Sequence, residues 1–163
     1  MWGNVVDGRE QWGKRERSRA KMFYGEFEYK IDDKGRLPIP PKFRDALKDG
    51  IVLAPGPEKC LKGYTLAEWK KLSATITNTP LARSKIRKLS RALFSAAFST
   101  RIDNQGRIPI PAPLRDHAEI TEDVIVAGVN SNLEIWNKAL WNEEKADSLE
   151  QAWQIIESLE NNS

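Results

Sequence analysis

Apolar and polar positions change period several times along this chain, and each change marks an element. Short alternating stretches at Phe27–Ile31 and Ala97–Ile102 run into Asp-x-x-Gly, which predicts two strands entering turns. Asp bonds its own downstream backbone there, and Gly takes a positive φ without a Cβ clash. Arg-Leu-Pro-Ile-Pro and Arg-Ile-Pro-Ile-Pro leave those turns as second strands. Prolines at every second position suit an edge or a strand end, because they cannot donate to a central ladder. The last proline of each run then opens a short helix, PPKFRDAL or PAPLRDHA. Apolar runs at Ile51–Ala54 and Val124–Ala127 predict third strands, and Cys60–Tyr64 and Leu133–Trp136 predict fourth strands. The period then lengthens to that of a helix beginning LAEWKKL or KALWNEE.

These two series are one series written twice. Residues 29–46, YKIDDKGRLPIPPKFRDA, align with residues 100–117, TRIDNQGRIPIPAPLRDH, at a constant offset of 71, with nine of eighteen positions identical. IVLA at 51–54 then answers VIVA at 124–127. A unit this short rarely buries enough apolar surface to fold alone. Two related copies in one chain can share a barrel by each supplying strands to the other. The expectation is a mainly β protein with helices (α+β), organised as module one over 26–69, a basic linker helix over 70–96, module two over 97–140 and an acidic C-terminal helix over 141–163.

The helices flanking the modules are amphipathic. In PLARSKIRKLSRALFS (80–95), Leu81, Ile86, Leu89 and Leu93 fall near helical spacing, with the basic residues largely on the complementary face. Leu149, Trp153 and Ile156, with Ala146 and Leu159, form a second apolar stripe. Residues 1–21 show no periodicity and are expected to be disordered.

Charge sharpens this division. The leader holds six basic and three acidic residues, which accounts for the whole net charge of +3 and leaves the remaining chain formally neutral. From Lys70 to Arg101 there are eight basic residues and no acidic one, whereas Glu143 to Glu160 carries six acidic residues and only Lys145. A basic face near an acidic face can drive head-to-tail association of subunits. No apolar run reaches the ~18–20 residues that span a bilayer, and the N-terminus lacks an apolar signal core. The single cysteine, Cys60, permits no internal disulfide, so a cytoplasmic setting is expected.

Turn geometry explains Asp32, Gly35, Asp103 and Gly106, but no turn requires Arg36 or Arg107. With Lys34, Arg36 makes a Lys-Gly-Arg tip. Two tips related by an approximate twofold axis would present both arginines on one surface. A guanidinium fork there can bond a guanine edge or a phosphate pair. It can equally pair with Asp32, Asp33 or Asp103, and the residues alone leave both readings open.

MFYGEFEYKIDDKGRLPIPPKFRDAL, the second IDNQGRIPIPAPLRDHA and the closing EIWNKALW resemble the MraZ family of bacterial proteins, from Met22 to about Trp141. That resemblance implies two tandem AbrB-like swapped-hairpin modules forming one intrachain, pseudo-twofold β-barrel. It also implies a nucleoid-associated transcription regulator of the division and cell-wall gene cluster, binding repeated promoter elements in double-stranded DNA as a closed homo-oligomeric ring. In the family the turn tips contact DNA, a role that transfers to Lys34, Arg36 and Arg107. Gln105 stands where the first copy has Lys34, which implies weaker phosphate affinity in the second. Arg83, Lys85, Arg87 and Lys88 of the linker are weaker candidates for phosphate contact. Arg44 and Arg115 match the family's terminal motif arginine, and an anchoring role within the barrel is expected for both. Because the resemblance begins at Met22, the basic leader is read either as a phosphate-contacting arm or, preferably, as the product of a misassigned start.

Two other classes compete: a ring-forming interaction scaffold whose acidic tail docks partners, and an antitoxin of the AbrB type. The helical character of the tail argues against the second, since such antitoxins carry a disordered toxin-binding tail. Catalysis is not expected, and neither a cofactor, a metal nor a small-molecule substrate is implied. His117 is the lone histidine, Cys60 has no histidine near it in sequence, and no Gly-rich phosphate loop or metal-ligand spacing occurs.

Overall fold

Strand alternation sorts the apolar residues onto two faces of one sheet. In the computed structural model, which describes residues 22–163, eight strands and five helices follow in order. They are β1 (Phe23–Lys30), β2 (Arg36–Pro38), α1 (Pro41–Arg44), β3 (Ile51–Pro55), β4 (Leu61–Tyr64), α2 (Leu66–Asn78), α3 (Arg83–Leu93), β5 (Phe98–Thr100), β6 (Arg107–Pro109), α4 (Ala112–His117), β7 (Asp123–Asn130), β8 (Leu133–Asn137) and α5 (Lys138–Asn161). The expectation for the leader lies outside the described residues.

Six strands form an antiparallel sheet in the order β1-β7-β8-β4-β3-β5, and β2 pairs with β6 in a separate ribbon. Exchanging the two copies leaves this order unchanged. Strand β1 of the first copy pairs with β7 of the second, and β5 of the second pairs with β3 of the first. The repeat is thus one interdigitated body. The expected barrel is not closed by hydrogen bonds among the described residues, because β1 and β5 remain the two edges of the sheet. Proline chemistry supplies the reason. Pro38, Pro40, Pro109 and Pro111 remove donors that would be needed to continue β2 and β6 into those edges.

The ribbon instead lies over one face of the sheet and closes the core against it. Leu37, Ile39, Ile108 and Ile110 from the ribbon, Phe43 and Leu114 from the short helices, and Leu53, Leu61, Val126, Leu133 and Ile135 from the sheet form one buried cluster. The opposite sheet face is covered by helices. Trp136, Ile125, Ala127 and Cys60 pack under Leu140 and Trp141 of α5, while Tyr64 meets Trp69 of α2, which in turn meets Phe94 at the end of α3.

Helix boundaries follow local chemistry. Thr65 caps α2 by accepting a hydrogen bond from the Glu68 amide (3.1 Å), and Asn137 caps α5 by accepting from the amides of Ala139 and Leu140. The segment 70–96, expected as one helix, is two. Pro80 disfavours helical backbone at the preceding residue, and Thr79 is extended there (φ −78°, ψ 135°). Helix α2 also begins at Leu66 and so runs through the expected end of module one at residue 69.

Candidate nucleic-acid interface

The two Asp-x-x-Gly-Arg turns have the same backbone. In the first, Asp32 Oδ1 accepts hydrogen bonds from the Lys34 amide (2.9 Å) and the Arg36 amide (2.8 Å). In the second, Asp103 Oδ1 accepts from Gln105 (2.8 Å) and Arg107 (3.0 Å). Both glycines sit at φ +78°, where a Cβ would be strained. Each carboxylate is held below the usual Asp range, chiefly by the amide of its own arginine, and the nearby guanidinium charges add to the effect.

Tertiary packing gives each glycine a second reason. A Cβ at Gly35 would collide with the Arg115 guanidinium, and a Cβ at Gly106 with that of Arg44. Each of these two arginines, expected as anchors, lies over the turn of the other copy. Arg44 Nε also donates to the Ile39 carbonyl at 2.9 Å. The signal was available in the fixed spacing of nine residues from Gly35 to Arg44 and from Gly106 to Arg115, but periodicity cannot say that the contact crosses between copies.

The ribbon brings the tip arginines together. Its register pairs Arg36 with Pro109, Leu37 with Ile108 and Pro38 with Arg107. Leu37 and Ile108 are fully buried, so alternation turns Arg36 and Arg107 to the other, outward face of the ribbon. They are diagonal cross-strand neighbours, about 7–8 Å apart or somewhat less between Cβ atoms in such a register. The Ile39 amide donates to the Gly106 carbonyl (2.9 Å), and the Ile110 amide to the Gly35 carbonyl (2.8 Å), which fixes each turn to the other copy's strand.

The arginines differ in freedom. Arg107 Nη1 donates to Asp32 Oδ2 at 3.2 Å, while its Nε lies 3.6 Å from Asp103 Oδ2, an ionic contact too long for a hydrogen bond; its side chain is 24% exposed. Of the two readings left open by the sequence, internal ion pairing therefore describes Arg107 in the free protein. Arg36 makes no ion pair within 4 Å among the described residues, although its charge is felt by Asp103. Lys34 and Gln105 are exposed at the two tips.

The linker cations lie elsewhere. Helix α3 packs through Phe94 onto Trp69 and thus onto the helix-covered sheet face. Arg83, Lys85, Arg87 and Lys88 are exposed, but on the side of the sheet opposite the ribbon. They do not join the arginine pair in one patch. His117 directs Nε2 to the Gly56 carbonyl at 3.2 Å, and burial pushes the Cys60 thiol up to about 12. No described helix is long and apolar enough to cross a membrane.

A family model described as "MraZ protein, putative antitoxin-like" matches residues 22–92 and again 93–156. A protein of Dehalococcoides mccartyi (strain 195) named "Transcriptional regulator MraZ" is 57% identical over 142 residues, covering 86% of this chain and 100% of that protein. A Roseiflexus relative (strain RS-1) of the same name is 46% identical over 120 residues, covering 74% of this chain and 84% of its own length. The repeated turn, the paired ribbon and these matches to both halves together show that the chain belongs to the MraZ family.

Proposed function

We propose that this protein is a transcription regulator whose β2–β6 ribbon binds double-stranded DNA. The observation carrying the reading is the placement of Arg36 and Arg107 as diagonal neighbours on one outward face, with Lys34 exposed beside them. A guanidinium fork can bond a guanine edge bidentately, at about 1–3 kcal/mol of discrimination, or clamp a phosphate. The relatives' name, transcriptional regulator, supports the regulatory role.

The acids of the turns set the resting position of the Arg107 fork. Asp32 and Asp103 spend Oδ1 on the backbone and turn Oδ2 toward Arg107. DNA contact by Arg107 exchanges a carboxylate for a phosphate or base edge, whereas Arg36 engages without giving up an ion pair to any described residue. Lys34 adds a phosphate contact that Gln105 lacks. We read the exchange of β1 and β5 between copies as the swapped-hairpin arrangement that the family resemblance implies.

A formally neutral body binds weakly through one ribbon. A homo-oligomeric ring facing several promoter repeats gains by effective concentration, by about 10²–10⁴ where the geometry permits. The reading therefore includes a ring, repeated elements upstream of the division and cell-wall gene cluster, and a place on the nucleoid. Labelled DNA from upstream of the protein's own gene, titrated with wild type and Arg36→Ala, tests it. The variant should lose specific binding, keep its melting profile and keep its assembly state by sedimentation. Undiminished binding by Arg36→Ala would overturn the ribbon interface, and a wild type that binds this DNA no better than unrelated DNA would favour the scaffold.

A further inference from the structure

Helix α5 outruns the sheet that it covers. Its first turns are anchored, since Glu26 accepts hydrogen bonds from both Trp141 and Lys145. Farther along, Leu149, Trp153, Ile155, Ile156 and Leu159 are 40–71% exposed. Steps of four, three and three residues place Leu149, Trp153, Ile156 and Leu159 along one face. Glu150 and Glu157 border that face, Glu160 lies at its far end, and the nearest cation along the helix, Lys145, is already paired with Glu26. An apolar stripe of this extent on a charged helix marks a contact surface.

A surface of matching character lies on the same chain. Between α2 and α3 runs a groove of about 510 Å³, lined by Tyr64, Leu72, Ile76, Leu89, Ala92 and Leu93. Helix α3 carries Arg83, Lys85, Arg87, Lys88 and Arg91 and no acidic residue. Lys85 lies one turn from Leu89, and Lys88 one turn from Ala92, so both residues stand beside the helix face that lines the groove. An apolar stripe edged by carboxylates thus has a counterpart in an apolar groove edged by cations.

We propose that the distal half of α5, residues 147–161, docks in the α2–α3 groove of a second copy of this chain. Such a contact is heterologous: each copy gives one helix and receives another, so copies join head to tail and either close into a ring or extend. Complementary charge sets direction and partner, and burial of Trp153 and its neighbours supplies most of the attraction. This specifies the contact behind the assembly in the preceding reading, and it stands apart from whether the ribbon binds DNA. It also gives the α3 cations a protein partner on the sheet face opposite the arginines.

Sedimentation velocity on the full chain without DNA tests the proposal. Wild type should assemble, whereas Trp153→Glu and the pair Lys85→Glu with Lys88→Glu should each sediment as the 18.6 kDa monomer with an unchanged circular dichroism spectrum. Mixed in equal amounts, the two defective proteins should form a two-copy complex, because one keeps an intact groove and the other an intact helix. That complex also proves both variants folded. Assembly of Trp153→Glu like wild type, failure of the mixture to pair, or a monomeric wild type with its own α5 folded onto its own groove would each overturn the docking. Arg36→Ala serves as the separate control: it should assemble normally whether or not it binds DNA, so a failed DNA titration and a failed docking test read out independently.

Discussion

The two copies share one turn to within about a tenth or two of an ångström in their hydrogen bonds, yet the strands leading into those turns differ in length. Strand β1 has eight residues and pairs along its whole length with β7; β5 has three and pairs with β3 over those three. Aligned positions give the cause. After IVLA the first copy has Pro55, which ends β3, while after VIVA the second copy has Gly128, and β7 continues to Asn130. A side chain at Gly128 would run into the backbone of Phe23 and Tyr24, so glycine is what lets β1 lie down there. The first copy thus gains Phe23, packed edge-on to Phe43 at 5.2 Å, whereas the aligned Phe94 ends α3 and packs on Trp69 instead. A duplicated unit keeps its turns alike where the copies bond each other, and diverges where only one copy is served.

The largest effects are expected at the ribbon, where the two copies meet. Leu37→Ala and Ile108→Ala each empty a fully buried site in the ribbon, and each should cost about 2–5 kcal/mol in denaturant unfolding. Similar values would support a symmetric hub, and a near-neutral result at either position would refute it. Gly128→Val should cost about 1–3 kcal/mol through overpacking against β1, with loss of amide protection in Phe23–Glu26, whereas Pro55→Ala should stay within about 0.5 kcal/mol. Equal effects at those two positions would remove the explanation for unequal strands. Gly35→Ala and Gly106→Ala should each cost about 1–2 kcal/mol for the left-handed backbone, and more where Arg115 or Arg44 must move. The smallest effect is the pH response of the turns. Both Asp pKa values are lowered on folding, so this stabilisation is present above the unfolded Asp pKa of about 3.9 and fades as pH falls through the still lower folded values. Asp32→Asn with Asp103→Asn should flatten the acid limb of a stability titration; an unchanged limb would assign it to other carboxylates.

Much of this was legible in the chain itself. The repeat, the order of strands within each copy, the turn chemistry of Asp32 and Gly35 and the amphipathic helices all rest on residues close in sequence. Read from the sequence, strand β1 starts four residues late, at Phe27, because the partner of Phe23–Glu26 is Ala127–Asn130, far away along the chain. The linker was read as one helix although Pro80 stood in the sequence to divide it. For Arg44 and Arg115 the repetition was visible and the partner was not, since nothing local links Arg115 to Gly35.

The sequence alone determined that two equivalent turns exist, that each presents an arginine, and that cations gather in the middle of the chain and carboxylates at its end. Backbone preference and side-chain charge act over a few residues, so they can be read without coordinates. Tertiary structure decided which strands pair across the copies, that Arg36 and Arg107 share one face, that Arg107 rests against Asp32, and that the α3 cations lie beyond the sheet. Those outcomes depend on register between distant strands, and register is set by how the whole core closes.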